Sequence, residues 1–152
     1  MSFLLKISEN IDTVITYIDK YEKAIDAAEE TLAYDGRKIE DICKNLPLIT
    51  HKYKSYAAEL KSLQEYLEFK REEVEGKKWK GFNEGYSRQL SAKDISQYIK
   101  GDKDYVHHTE LILEIIHLRS QMNAVLDGIE CLHWQSSNIV KLRVASLEEA
   151  VL

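Results

Sequence analysis

The stretch between Lys70 and Lys93 carries the residue types that bind a nucleic-acid strand. Its seven cations stand against four carboxylates, a net charge of +3 that leaves −8 for the rest of a chain whose net charge is −5. Cations neutralise phosphates, aromatic rings stack on unpaired bases, and glycines allow close approach to the backbone. We therefore predict contacts to single-stranded DNA from these residues: Lys70, Arg71, Lys77, Lys78, Trp79, Lys80, Phe82 and Arg88. The alternative is a solvated loop whose aromatic residues close the end of a helical bundle.

Two Glu-x-x-His motifs, Glu114–His117 and Glu130–His133, resemble the ligand pairs of di-iron helical bundles. Both fall in one predicted helix, about 24 Å apart and pointing about 160° away from each other. Such a site needs the motifs on different helices, so solvated Glu–His pairs are the better interpretation. We predict no metal site and no cofactor, and we interpret His107–His108 as a solvated helix start.

No nucleotide-binding glycine loop, dinucleotide fingerprint or nucleophile elbow occurs in the sequence. The acidic pairs lie on polar helix faces, where solvated charge is the ordinary state. Cys43 and Cys131 have no partner motif, and we interpret them as free thiols that pack inside helices. The sequence therefore predicts a protein that is not an enzyme.

The elements that position these residues are predicted to be helices. Charged residues make up 31% of the chain, which has one proline and six glycines, a composition typical of long helices with charged surfaces. Apolar residues recur at steps of three and four in three stretches, the pattern of a coiled-coil seam, with Lys70 in the vacant position between Leu67 and Val74. The seams are Ile7, Ile11, Val14, Ile18, Tyr21, Ile25, Ala28 and Leu32; Ile49, Tyr53, Tyr56, Leu60, Leu63, Leu67 and Val74; and Leu111, Ile115, Leu118, Met122, Val125, Ile129 and Leu132.

These patterns predict one all-α domain over residues 1–152. Two heptad helices occupy 1–75 with a break at Pro47, where a proline disfavours the helix before it. A basic, aromatic, glycine-rich loop follows at 76–90, then a short helix at 91–101 opened by Ser91 and Asp94. A long helix completes the chain at 104–145. Its stripe is widened by Ile112, Ile116 and Leu126, which predicts packing on more than one neighbour.

Three long seams favour assembly into a homo-oligomer, although a monomeric antiparallel bundle is the alternative. The N-terminus is too short and too soon charged for a secretory or membrane segment. We therefore expect no membrane partner and a cytoplasmic location.

The second half of the chain resembles the recombination mediators of T4-like phages. The resemblance covers about half the chain, roughly residues 60–142. It comprises Lys70-Arg71, Gly76-Lys77, an irregular stretch, Leu90 to Asp104, and a long helix to Lys141. It implies a helical homo-oligomeric ring in the cytoplasm of a bacterial host, binding to single-stranded DNA, and no enzymatic activity. It also implies contacts with a RecA-like recombinase and a single-stranded-DNA-binding protein. By position, Lys70, Arg71 and Lys77 match the family's DNA-binding stretch.

The sequence thus predicts a non-enzymatic mediator that loads a recombinase onto single-stranded DNA. A coiled-coil scaffold or assembly chaperone that binds only protein is the alternative. It accounts for the heptads and the acidic charge, but not for the segregated basic stretch. A di-metal helical oxidase is a third, minor reading.

Overall fold

The computed structural model describes residues 7, 13–33, 36–85 and 90–145, and within them it contains helices and no strand. The helices are α1 (Thr13–Asp26), α2 (Ala28–Leu32), α3 (Ile39–Gly85), α4 (Ala92–Lys100) and α5 (Lys103–Val144). This confirms the predicted all-α class.

Helices α3 and α5 form a long antiparallel hairpin. Three contacts fix its register: Lys78 with Asp102 at one end, Gln64 with Arg119 in the middle, and Glu40 with Arg143 at the other end. Helix α1 packs along both partners. The Tyr53 hydroxyl of α3 donates to the Ala24 carbonyl of α1 at 3.0 Å, so the three long helices share one core.

Most of the predicted seam positions belong to that core, and Ile11 lies outside the described residues. Fully or nearly fully buried seam positions include Tyr21 of α1, Leu60, Leu63 and Leu67 of α3, and Ile115 and Met122 of α5. Ile112 is buried as well, whereas Ile116 is exposed. Because Leu, Ile and Met each contribute about 1.5–3 kcal/mol when buried, these seams stabilise the fold within a single chain. Burial of the seams therefore requires no second subunit.

The predicted break at Pro47 is wrong, because Pro47 lies inside α3. A proline removes one backbone hydrogen bond and crowds the carbonyl four residues earlier. Burial of Ile42 before it and Tyr53 after it holds both parts of the helix against the bundle. The chain turns earlier instead, where Ala33 is extended (ψ 133°) and Gly36 has a φ of +74° that suits glycine.

The predicted loop at 76–90 is also wrong over most of its length, since α3 continues to Gly85. Each glycine costs about 1 kcal/mol in a helix relative to alanine but does not forbid the helix. Contacts from Lys78 to α5 and from Phe82 to α4 hold these last turns in place. Residues 86–89 lie outside the described part.

The short connecting helix α4 lies within the predicted range 91–101. Its N-cap is Ser91, whose Oγ accepts a hydrogen bond from the Asp94 backbone N–H at 3.2 Å and donates to the Asp94 carboxylate at 2.6 Å. Ile95 and Ile99 are buried against the hairpin. Helix α5 begins and ends one residue before its predicted bounds.

Cys43 and Cys131 are free thiols, as expected, but both are exposed. Their interpretation as packing residues is therefore wrong, because neither side chain is buried. Among the described helices, none combines the length and the apolar character needed to cross a lipid bilayer.

Candidate nucleic-acid interface

The predicted DNA-binding residues lie on the last turns of α3, with the exception of Arg88, which is outside the described residues. At about 100° per residue, Lys70, Lys77 and Lys80 share one side of the helix. Arg71 and Lys78 turn towards α5 instead. Trp79 points about 160° away from Lys77. The helix therefore divides the predicted site over more than one face.

An open groove of about 260 Å³ lies at the end of the hairpin, lined by Lys77, Lys78, Gly81, Phe82 and Gly85. A side-chain carbon built on Gly81 or Gly85 would meet no atom within 4 Å. The helix backbone is therefore bare at this point and flanked by two ammonium groups and an aromatic ring. This combination makes the groove open and positively charged on one side.

Lys78 closes one wall of the groove by bridging α3 to the start of α5. Its Nζ lies 2.8 Å from Asp102 Oδ2 and 3.2 Å from Asp104 Oδ2. Hydrogen bonds to Asp102 and then Asp104 raise the pKa of Lys78 above its usual value. The same bond from Lys78 lowers the pKa of the Asp102 carboxyl. Lys78 is thus a structural cation as well as a candidate phosphate ligand.

The aromatic residues of the prediction are placed differently from one another. Phe82 stacks on Tyr98 of α4, with ring centroids 5.8 Å apart and an interplanar angle of 25°. Trp79 is exposed on another face of the helix. Phe82 therefore belongs to the groove, and Trp79 does not line it.

Lys70 and Arg71 are engaged one to two turns earlier on α3. Lys70 Nζ lies 2.7 Å from Glu73 Oε2 and 5.7 Å from the ring centroids of both Tyr66 and Phe69. The hydrogen bond with Glu73 raises the pKa of Lys70 and lowers that of Glu73. The Arg71 guanidinium lies 5.6 Å from the Tyr105 ring centroid. Arg71 therefore contributes to packing between α3 and α5.

Lys77 and Lys80 are the more accessible cations of the set. Lys77 is exposed beside the groove. Lys80 is 75% exposed, and its Nζ lies 4.0 Å from Glu84 Oε1, a long and solvated contact of little energetic consequence. These two lysines can reach a phosphate at the cost of no more than the solvated Lys80–Glu84 contact.

Sequence reasoning missed three residues of this region. Tyr98 stacks an exposed ring on Phe82, a groove residue, and Asp102 and Asp104 bind Lys78. The sequence shows Asp102 and Asp104 as helix-capping residues, and Asp102 does cap α5 by accepting from the Asp104 N–H at 3.0 Å. Their second role depends on which turn of α3 faces α5, and only the tertiary register reveals that.

The two Glu-x-x-His motifs lie on the unbroken helix α5, which continues through Gly128. Over the described ranges, no three His, Cys, Asp or Glu side chains converge as metal ligands would. His107 and His108 are in the first turns of α5, where the His108 ring nitrogen Nδ1 lies 2.7 Å from the Asp104 carbonyl.

Comparison of the chain with known protein families, curated proteins and solved structures finds no match.

Proposed function

We propose that this protein binds single-stranded DNA without enzymatic activity, through the groove at the end of the α3–α5 hairpin. The observation that carries the proposal is the convergence of Lys77, Lys78 and Phe82 on a bare helix surface at Gly81 and Gly85. The lysines and nearby Lys80 neutralise phosphates, and Phe82 with Tyr98 offers an aromatic surface to unpaired bases. Such contacts read no base edges, so binding has little sequence preference.

The biological role that we infer is recombination mediation in the cytoplasm of a phage-infected bacterium. In that role the protein helps a RecA-like recombinase replace single-stranded-DNA-binding protein on DNA. The support is the resemblance over residues 60–142, together with the helical architecture that the mediators' fold leads one to expect. Lys70, Arg71 and Lys77, the positions that match the family's DNA-binding stretch, all lie on α3.

We further propose that the chain assembles into a homo-oligomeric ring. The outward face of α5, opposite the core, carries exposed apolar side chains within an arc of about 80°. They are Val106, Leu113, Ile116, Trp134 and Leu142. Exposed apolar side chains gathered on one side of a helix favour a protein interface, and a second copy with the same helix supplies a face of matching length. Repetition of a weak groove around the oligomer adds avidity.

The DNA-binding proposal is tested by a fluorescence-anisotropy titration with a labelled oligothymidine. We expect binding at low salt that weakens steeply as salt rises. Lys77→Gln with Lys80→Gln should weaken it on the order of tenfold at about 50 mM salt, because two phosphate contacts are lost. The matched control is Lys44→Gln with Lys61→Gln, two exposed lysines elsewhere on α3. Equal loss in both pairs, or no binding by the unmodified chain, contradicts the proposal.

A scaffold or assembly chaperone that binds only protein is the second candidate, favoured by a separate observation. Lys70, Arg71 and Lys78 already have partners within the chain, and such cations also serve a purely structural role. Native mass spectrometry with and without the oligonucleotide separates the two functions. A complex whose mass includes DNA supports the first, and an unchanged oligomer supports the second.

A further inference from the structure

Two carboxylates at the start of α5 bind the same Lys78 ammonium that a phosphate in the groove would bind. The Oδ2 atoms of Asp102 and Asp104 lie 2.8 and 3.2 Å from Lys78 Nζ, within the range of a charge-assisted hydrogen bond for the first. Lys78 lines the groove, whereas Asp102 and Asp104 are not among the lining residues, so the aspartates hold the ammonium on the α5 side of the groove wall. One positive charge faces two negative charges at this point.

The two sides of this contact differ in mobility. Asp102 is fixed, because its Oδ1 accepts the Asp104 backbone N–H and caps α5, which leaves Oδ2 for Lys78. Lysine has a flexible four-carbon stem and a compact ammonium group. The side chain of Lys78 is also 35% exposed. The lysine can therefore leave the aspartates, whereas Asp102 cannot follow it.

We propose that Asp102 and Asp104 form an autoinhibitory contact that competes with nucleic-acid phosphate for Lys78. A bound strand draws the ammonium from the aspartates to a phosphate in the groove, and the aspartates reclaim it when the strand leaves. The contact lowers the groove's affinity and releases the link between the end of α3 and the start of α5 when DNA binds. This inference rests on the proposed DNA-binding function of the same groove.

The test is the full-length variant Asp102→Asn with Asp104→Asn, titrated with labelled oligothymidine by anisotropy. Asparagine caps helices about as well as aspartate, so α5 keeps its N-cap while the competing charges are removed. We expect binding to tighten on the order of tenfold, since like charges at an interface are strongly unfavourable. Circular dichroism verifies that the helices remain.

A double-mutant cycle with Lys78→Gln separates competition from general repulsion. In the Lys78→Gln background the two aspartate substitutions should increase DNA affinity much less, because no ammonium remains to be released. For the same reason, Lys78→Gln alone should cost less affinity than Lys78→Gln in the variant lacking both aspartate charges. The matched charge control is Glu72→Gln with Glu75→Gln on α3, the helix of Lys78. We expect this pair to increase DNA affinity less than the aspartate pair does.

The outcomes separate this inference from the proposed function. Binding that depends on Lys77 and Lys80, but that does not tighten in the aspartate variant, overturns the autoinhibitory contact alone. A gain that persists undiminished without Lys78 also overturns it. Absence of binding by both proteins overturns the two proposals together. If the double variant loses helicity, the single variant Asp104→Asn decides the question, because Asp104 is 67% exposed and its side chain is not the N-cap. We then expect a smaller gain in DNA affinity than from the double variant. No gain in affinity overturns the inference.

Discussion

Tyr21 of α1 is a buried phenol with a charged partner. Its hydroxyl donates to Glu59 Oε2 at 2.7 Å, and Lys20 Nζ lies 2.9 Å from the same oxygen. Burial, and then the hydrogen bond with Glu59, raises the pKa of Tyr21 far above its usual value. The folded protein therefore keeps this phenol protonated at pH values at which an unfolded chain loses the proton.

We expect Tyr21→Phe to lower the free energy of unfolding by about 1–2 kcal/mol at neutral pH, through loss of the hydrogen bond to a carboxylate. A raised folded-state pKa stabilises the fold fully below the unfolded value of 10.0. That stabilisation is lost as the pH rises from there towards the folded pKa. The difference between the two proteins should therefore shrink above pH 10. Urea denaturation at neutral and alkaline pH measures it.

Tyr98→Phe is the control for this substitution. The ring of Tyr98 is exposed, so removal of its hydroxyl should leave the free energy of unfolding at neutral pH unchanged. Equal stability of Tyr21→Phe and the unmodified protein at neutral pH would contradict the assignment of the Glu59 bond. So would a difference that stays constant into the alkaline range.

At the residue scale, the sequence predicts which face a side chain takes but not which partner it meets. Tyr21 was predicted as a seam residue, and it is buried. Its partner Glu59 is separated from it by 38 residues, and no local pattern relates them. The partners of Lys78 were missed for the same reason, since ion pairs between helices depend on register.

The last turns of α3 contain three glycines, at positions 76, 81 and 85, that weaken the helix where the groove is placed. A Cβ at Gly76 or Gly81 would contact nothing within 4 Å. Gly76→Ala and Gly81→Ala should each raise the free energy of unfolding by about 0.5–1 kcal/mol. Of these two positions, only Gly81 lines the groove, so we expect Gly81→Ala but not Gly76→Ala to weaken oligothymidine binding.

Gly128→Ala in α5 is the matched control, because an added Cβ would lie 2.8 Å from Leu32 Cδ1. The Leu32 side chain must move, so the gain in stability should be smaller than at Gly76. Thermal unfolding ranks the three variants. Destabilisation by Gly76→Ala would show that a helix over 76–85 is not the conformation in solution.

At the element scale, apolar spacing predicted the helices better than proline and glycine predicted their ends. Spacing predicts the seam positions of α3 and α5, and most of them are buried; the partly buried ones are Ile49, Tyr56, Val74 and Leu111. Pro47 and the glycines suggested breaks that do not occur. A proline costs about 3 kcal/mol and a glycine about 1 kcal/mol inside a helix, and burial of a few neighbouring side chains offsets such sums. That offset depends on tertiary contacts.

At the scale of the whole molecule, α5 carries, within the described residues, exposed apolar side chains on the face opposite the core. Leu113 and Ile116 are 61% and 44% exposed near its middle, on the side away from α1 and α3. We expect Leu113→Lys with Ile116→Lys to reduce the oligomer mass in native mass spectrometry, because charged side chains are depleted from interface cores. The fold should be retained, since neither side chain belongs to the described core.

Leu48→Lys controls for the loss of an exposed apolar residue, because Leu48 is 71% exposed on α3. An oligomer that dissociates equally with Leu48→Lys, or that survives the α5 substitutions, argues against this face as the subunit contact.

The antiparallel hairpin also sets an order in which its parts can form. Lys78 and Asp102 are separated by 24 residues along the chain, and Gln64 and Arg119 by 55. Glu40 and Arg143 are farther apart still. Closing a loop costs more entropy as the loop lengthens. The contacts of the hairpin should therefore form in order from the groove end towards the Pro47 end. The groove residues are then the first long-range contacts to form, and the Glu40–Arg143 end is the first to fray.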